Sequence, residues 1–151
     1  MRVNLKIEGE QTQVDVSPIN VFQLTESLKI IQRILDVLKK EGQLVGFIDQ
    51  LMSAESDETM TDEQRDKMLI ANLAGSFDTL LIVVPELAVE LIAKVSGIKL
   101  QDMQQQEVET LFDVLDAIVN VNDIERIVER AKKFFAVTKL KWAGKFTIGK
   151  K

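Results

Sequence analysis

The chain has no cysteine, no histidine and no tyrosine in its 151 residues. Disulfides, thiolate nucleophiles, Cys/His zinc sites and histidine-based triads or proton shuttles are therefore excluded. Aromatic residues make up only 5%, with a single tryptophan, which leaves little for stacking on bases or sugars. Two prolines and seven glycines argue against a loop-built fold or a Pro/Gly-rich linker. No GxGxxG, GxxxxGK[ST] or Gly-x-Ser-x-Gly pattern occurs, so no phosphate cradle or nucleophile elbow is visible. The longest apolar run, Leu80 to Val84, falls far short of the roughly 20 residues that span a bilayer. The alternating N-terminus MRVNLKIEGEQ has no apolar core of a signal peptide. We expect a cytoplasmic protein with no membrane partner, no cofactor, no metal and no enzymatic activity.

What is present is the balance of a globular domain, with 46% hydrophobic and 28% charged residues. The net charge of −5 is unevenly placed. Nine basic residues and one acid lie between Arg126 and Lys151, a charge of +8, so the first 125 residues carry −13. Such a split implies an end that folds back on the body or is solvated, or one that binds a polyanion or an acidic partner.

Val3, Leu5 and Ile7 alternate with polar residues, as do Val14 and Val16, which predicts a hairpin over residues 1–17. Gly9-Glu10 fits a type II′ turn, pairing Ile7 with Thr12, Leu5 with Val14 and Val3 with Val16. One face of that hairpin is apolar and has to be covered. After Ser17-Pro18 a helix is predicted from Ile19 to Lys40, with Val21, Leu24, Leu28, Ile31, Leu35 and Leu38 at the spacing of helix-on-helix packing. Phe22, Ile34 and Val37 widen the stripe into a bundle face. That wide stripe predicts a homo-oligomer. Gly42 ends the helix, and a short one follows over Leu44 to Met52 with Leu44, Phe47, Ile48 and Leu51 on one face.

The polar stretch Ser53 to Met60 reads as a loop, and Thr61 with Gln64 as a capping box opening a helix with Met68, Leu69, Leu73, Phe77 and Leu80 on its stripe. Pro85 predicts a break rather than a strand, with helix resuming from Glu86 to Val95 and closing at Ser96-Gly97. Val108, Leu111, Phe112, Leu115, Ile118 and Val119 form the next stripe. Asn122 with Glu125 reads as a second capping box, before a stripe of Ile124, Ile127, Val128, Ala131, Phe134 and Phe135. The fold class is mainly α, a helical bundle or array preceded by an N-terminal β-hairpin. Residues 1–138 read as a single domain, with the helical body over 19–138, and 139–151 as a basic tail.

The acidic cluster Glu55, Asp57, Glu58, Asp62 and Glu63 lacks the ligand order and mid-loop glycine of a calcium loop. Glu109, Asp113 and Asp116 fall opposite their helix's apolar stripe and read as a solvated face. The candidate partner-binding residues are Lys139, Lys141, Trp142, Lys145, Phe146 and Ile148, where lysines alternate with interface-forming apolar groups. The same pattern is the basis of an alternative, a small regulatory nucleic-acid-binding protein, although the −13 body opposes a polyanion and nucleic acid is not the expected partner.

The N-terminal segment MRVNLKIEGEQTQVDVS followed by amphipathic helices, without catalytic residues, resembles the tail assembly chaperones of long-tailed bacteriophages. The likeness covers residues 1 to about 140 as an arrangement rather than a motif. It implies a non-enzymatic protein of the bacterial host cytoplasm that binds the tape-measure protein and helps tail-tube protein assemble around it. It also implies a longer form made by frameshifting near the end of the shorter frame, to which the terminal Lys150-Lys151 is suited. A structural subunit of a larger particle is a further alternative.

Overall fold

A computed structural model describes residues 1–52, 59, 61–127, 129–130 and 133. Strands β1 (Arg2–Ile7) and β2 (Glu10–Asp15) are followed by helices α1 (Val21–Lys40), α2 (Leu44–Met52), α3 (Asp62–Val83), α4 (Pro85–Ser96), α5 (Leu100–Gln104) and α6 (Val108–Val121). The architecture is mainly α with an N-terminal antiparallel hairpin, as the periodicities require.

The hairpin's register differs from expectation. Val3 pairs with Val14, Leu5 with Thr12 and Ile7 with Glu10, two residues away from the expected partners. The turn is Glu8-Gly9, with φ of 53° and 82°, both left-handed as a type I′ turn demands. Glycine therefore occupies the second central position, not the first. Because the slip is two residues and not one, the same side chains still face inward. Leu5 and Val16 are fully buried, Val3 is buried, and α6 packs against β1 to cover the apolar face.

In α1 the helix starts at Val21, two residues later than expected, because Asn20 and Gln23 form a reciprocal capping box. The buried face is Ser27, Leu28, Ile30, Ile34, Leu35 and Leu38, so the expected stripe is rotated and begins a turn later. Val21 is 82% exposed and Phe22 is 65% exposed. Helix α4 covers the buried face along with α2. At the far end, Gln43 N–H bonds Leu38 C=O at 2.9 Å and Gly42 N–H bonds Lys39 C=O at 3.2 Å. With Gly42 at φ 73°, this is a Schellman ending.

The Thr61–Gln64 capping box is present as expected. On the expected α3 stripe Met68 is exposed, whereas Phe77 and Leu80 in the C-terminal half of the helix are buried in the core. Phe77 meets Phe112 of α6 edge to face, with ring centroids 5.7 Å apart. Val84 ends α3 with its N–H on Leu80 C=O and starts α4 by accepting from Ala88 N–H, and Pro85 takes the first helical position. The break predicted at Pro85 is thus a change of helix. On α6, Val108 is exposed while Leu111, Val114, Ala117 and Ile118 are buried, and Glu109, Asp113 and Asp116 form the solvated face expected of them.

The second expected capping box is absent. Asn122 ends α6, and the cap of the next helical segment is Asp123, whose Oδ1 accepts from Arg126 N–H at 3.2 Å. Asn122 is occupied elsewhere, since its Oδ1 accepts from Ile19 N–H. Among the described residues no helix is long and apolar enough to cross a membrane.

Candidate functional site

The N-terminal turn of α1 lies against the C-terminal end of α4 and the start of α5, and between them opens a cleft of about 370 Å³. Its apolar lining comes from Phe22, Ala93, Ile98 and Leu100, and its polar lining from Gln23, Glu90, Lys94 and Lys99. Ala93 and Ile98 are buried and form the floor, whereas Phe22 and Leu100 stay exposed.

Local sequence builds this cleft. The capping box fixes Gln23 at the third helical position, where its Oε1 accepts from Asn20 N–H at 3.0 Å. Its Nε2 reaches across to donate to Lys94 C=O at 3.1 Å and Val95 C=O at 3.4 Å, so one amide side chain satisfies both α1's start and α4's end. Gly97 then turns the chain at φ 80°, and a Cβ there would sit 3.4 Å from the Gln23 amide nitrogen. Buried Ser96 accepts from Ile98 N–H at 3.3 Å and donates to Ala93 C=O, which fixes the exit from α4. Helix α5 follows, anchored by buried Met103.

The cleft carries charge as well as apolar surface. Glu90 is held by Arg33 at 3.1 Å, so its charge is locally balanced. The Lys94 ammonium lies 5.7 Å from the centroid of the Phe22 ring, within cation–π range. Among the described residues no carboxylate lies within ion-pair distance of Lys94 or Lys99. A body of net negative charge thus presents a cationic rim at this point. No group of three or more carboxylates that could hold a metal ion occurs among the described residues.

The residues singled out from sequence, Lys139, Lys141, Trp142, Lys145, Phe146 and Ile148, lie outside the described residues, as does the acidic loop over 53–58. Sequence reasoning did not find the cleft. The helical spacing groups Phe22 with the packed stripe, although it stands exposed. The available signal is the Asn20–Gln23 capping box, which sets the helix start at Val21 and leaves Phe22 in its first turn. Compared with family models, curated proteins and solved structures, the chain matches none.

Proposed function

We propose that the protein is a non-enzymatic assembly chaperone that binds the tape-measure protein of a long-tailed phage and assists tail-tube assembly. The observation that carries this reading is the cleft, where Phe22 and Leu100 stand exposed over an apolar floor. Its volume lies at the small end of the range of ligand pockets, and its open, mixed lining suits one or two apolar side chains of a helix laid across it. A client with long apolar helical stripes presents such side chains repeatedly, and holding them keeps the client in solution before it is packaged. The hairpin-then-helices arrangement and the acidic body, which repels nucleic acid, add to this reading.

Two observations test it. The gene's surroundings are expected to include a major tail protein on one side and a very long tape-measure gene on the other. Co-expression with that tape-measure protein is expected to move it from the insoluble to the soluble fraction as a complex. A tape-measure protein that stays insoluble beside abundant chaperone contradicts the reading. Salt-sensitive nanomolar binding of duplex DNA, lost on deleting 139–151, would instead favour the nucleic-acid alternative.

A further inference from the structure

The two edges of the hairpin are treated differently. The backbone pair Met1 and Val16 exchanges hydrogen bonds at 2.7 and 3.1 Å, so Arg2, Asn4 and Lys6 turn their backbone groups outward on β1, and Gln11, Gln13 and Asp15 on β2. On β1 the edge is capped by a side chain at Lys6, while Arg2 and Asn4 stay exposed. Gln106 Oε1 accepts from Lys6 N–H at 2.9 Å, and its Nε2 donates to Lys6 C=O at 2.8 Å, the two bonds a neighbouring strand would make. On β2 no such cover exists among the described residues, and Gln11, Gln13 and Asp15 are exposed. The strand EQTQVD has no lysine or proline to blunt that edge, and its two charges, Glu10 and Asp15, lie at its ends.

We infer that the outer edge of β2 is a self-association surface, where β2 of a second copy pairs antiparallel about a two-fold axis at Gln13. Charge selects this register. Centred on Gln13, the pairing sets Gln11 opposite the other copy's Asp15, an amide against a carboxylate, and Thr12 opposite Val14. Moving the axis to Asp15 sets two carboxylates opposite each other, each already held by its own Met1 ammonium, and runs the partner strand onto Ser17-Pro18, where proline cannot pair. Moving it to Gln11 runs the partner strand into the Glu8-Gly9 turn, where pairing ends. In the favoured register the half-buried Thr12 and Val14 of both copies continue the underside already covered by the helices. The pair of hairpins becomes one four-stranded sheet, with Gln106 capping Lys6 on each outer strand. This surface is separate from the α1–α4–α5 cleft and leaves it free, so the inference does not depend on the proposed client.

Single-strand pairing makes a small interface, so we expect a monomer–dimer equilibrium in the micromolar range. Light scattering should show mass rising from 17.0 kDa towards twice that value with concentration. Gln13→Lys, which sets two ammonium groups face to face on the axis, should abolish the rise with helical circular dichroism unchanged. Asn4→Lys, the same charge on the same sheet face one strand away from the axis, should keep it. The chain's lack of cysteine permits a second readout. Gln13→Cys should oxidise to a linked dimer, because directly opposed residues lie ~5.5 Å apart, within disulfide range. Asp15→Cys should not, since its two copies fall four residues out of register, ~13 Å apart. A monomer at every concentration, a dimer unaffected by Gln13→Lys, or equal crosslinking of the two cysteine variants overturns the inference.

Discussion

Asn122 accepts a hydrogen bond from the Ile19 backbone N–H at 2.8 Å, across 103 residues of sequence. The same side chain donates to Ile118 C=O at 2.8 Å. One amide therefore closes α6 and pins the segment between the hairpin and α1. Asn122→Ala leaves a partly buried N–H without its acceptor, which costs about 1–2 kcal/mol. Thermal melts should show a fall of roughly 2–8 °C for a domain of this size. Asn122→Asp, which keeps the acceptor, should recover part of it.

The turn offers a gain. Glu8 adopts φ 53°, a conformation that costs a non-glycine residue energy and that asparagine tolerates best. Glu8→Asn creates the Asn-Gly pair that type I′ turns favour, and we expect about 0.5–1 kcal/mol of added stability by denaturant titration. No change, or a loss, would mean that the Glu8 carboxylate has a role its position does not reveal.

Ser27 and Ser76 are buried with hydroxyl oxygens that have no hydrogen-bond partner. Burial without a partner costs free energy, and alanine is the better helix former. Ser76→Ala, in the packed half of α3, should therefore be neutral or stabilising by up to about 1 kcal/mol in urea unfolding. Destabilisation beyond that would show that the hydroxyl has a partner in solution.

These sites also mark what the sequence could and could not say. Local chemistry was legible at several helix ends, though not at the Glu8-Gly9 turn or the Asn20–Gln23 cap. Thr61 with Gln64 capped α3, Pro85 ended one helix and began another, and the glycines at 42 and 97 closed helices in the left-handed conformation. Alternation placed Val3, Leu5 and Val16 inside, but not the hairpin register, because a two-residue slip leaves the same face buried. The capping box drawn at Asn122 and Glu125 failed for a tertiary reason: Ile19 takes the Asn122 oxygen, and Asp123 caps instead. The α1 stripe is rotated because α4 and α2 pack on the face of Ser27, Leu28, Ile30, Ile34, Leu35 and Leu38, which leaves Val21 and Phe22 outside. The cleft itself is made by residues about seventy positions apart, Gln23 and Lys94, and no periodicity encodes that approach.

Gly97 joins stability to the cleft. At φ 80° an alanine is strained, and relieving that strain moves the end of α4 to which the Gln23 amide is bonded. Gly97→Ala should destabilise by about 1 kcal/mol or more. It should also raise hydrogen exchange at the N-terminal turn of α1, which a purely local cost at residue 97 would leave unchanged.

The proposal that Phe22 and Leu100 hold an apolar client is tested most directly by titrating a soluble tape-measure segment into the wild-type protein, Phe22→Asp and Val108→Asp. Phe22 and Val108 are comparably exposed apolar residues, at 65% and 62%, but only Phe22 lines the cleft. We expect Phe22→Asp to weaken binding ~10-fold or more, as loss of an interface anchor does, and Val108→Asp to bind like the wild type. Equal affinity for all three proteins, or an equal loss in both variants, would contradict the assignment of the cleft.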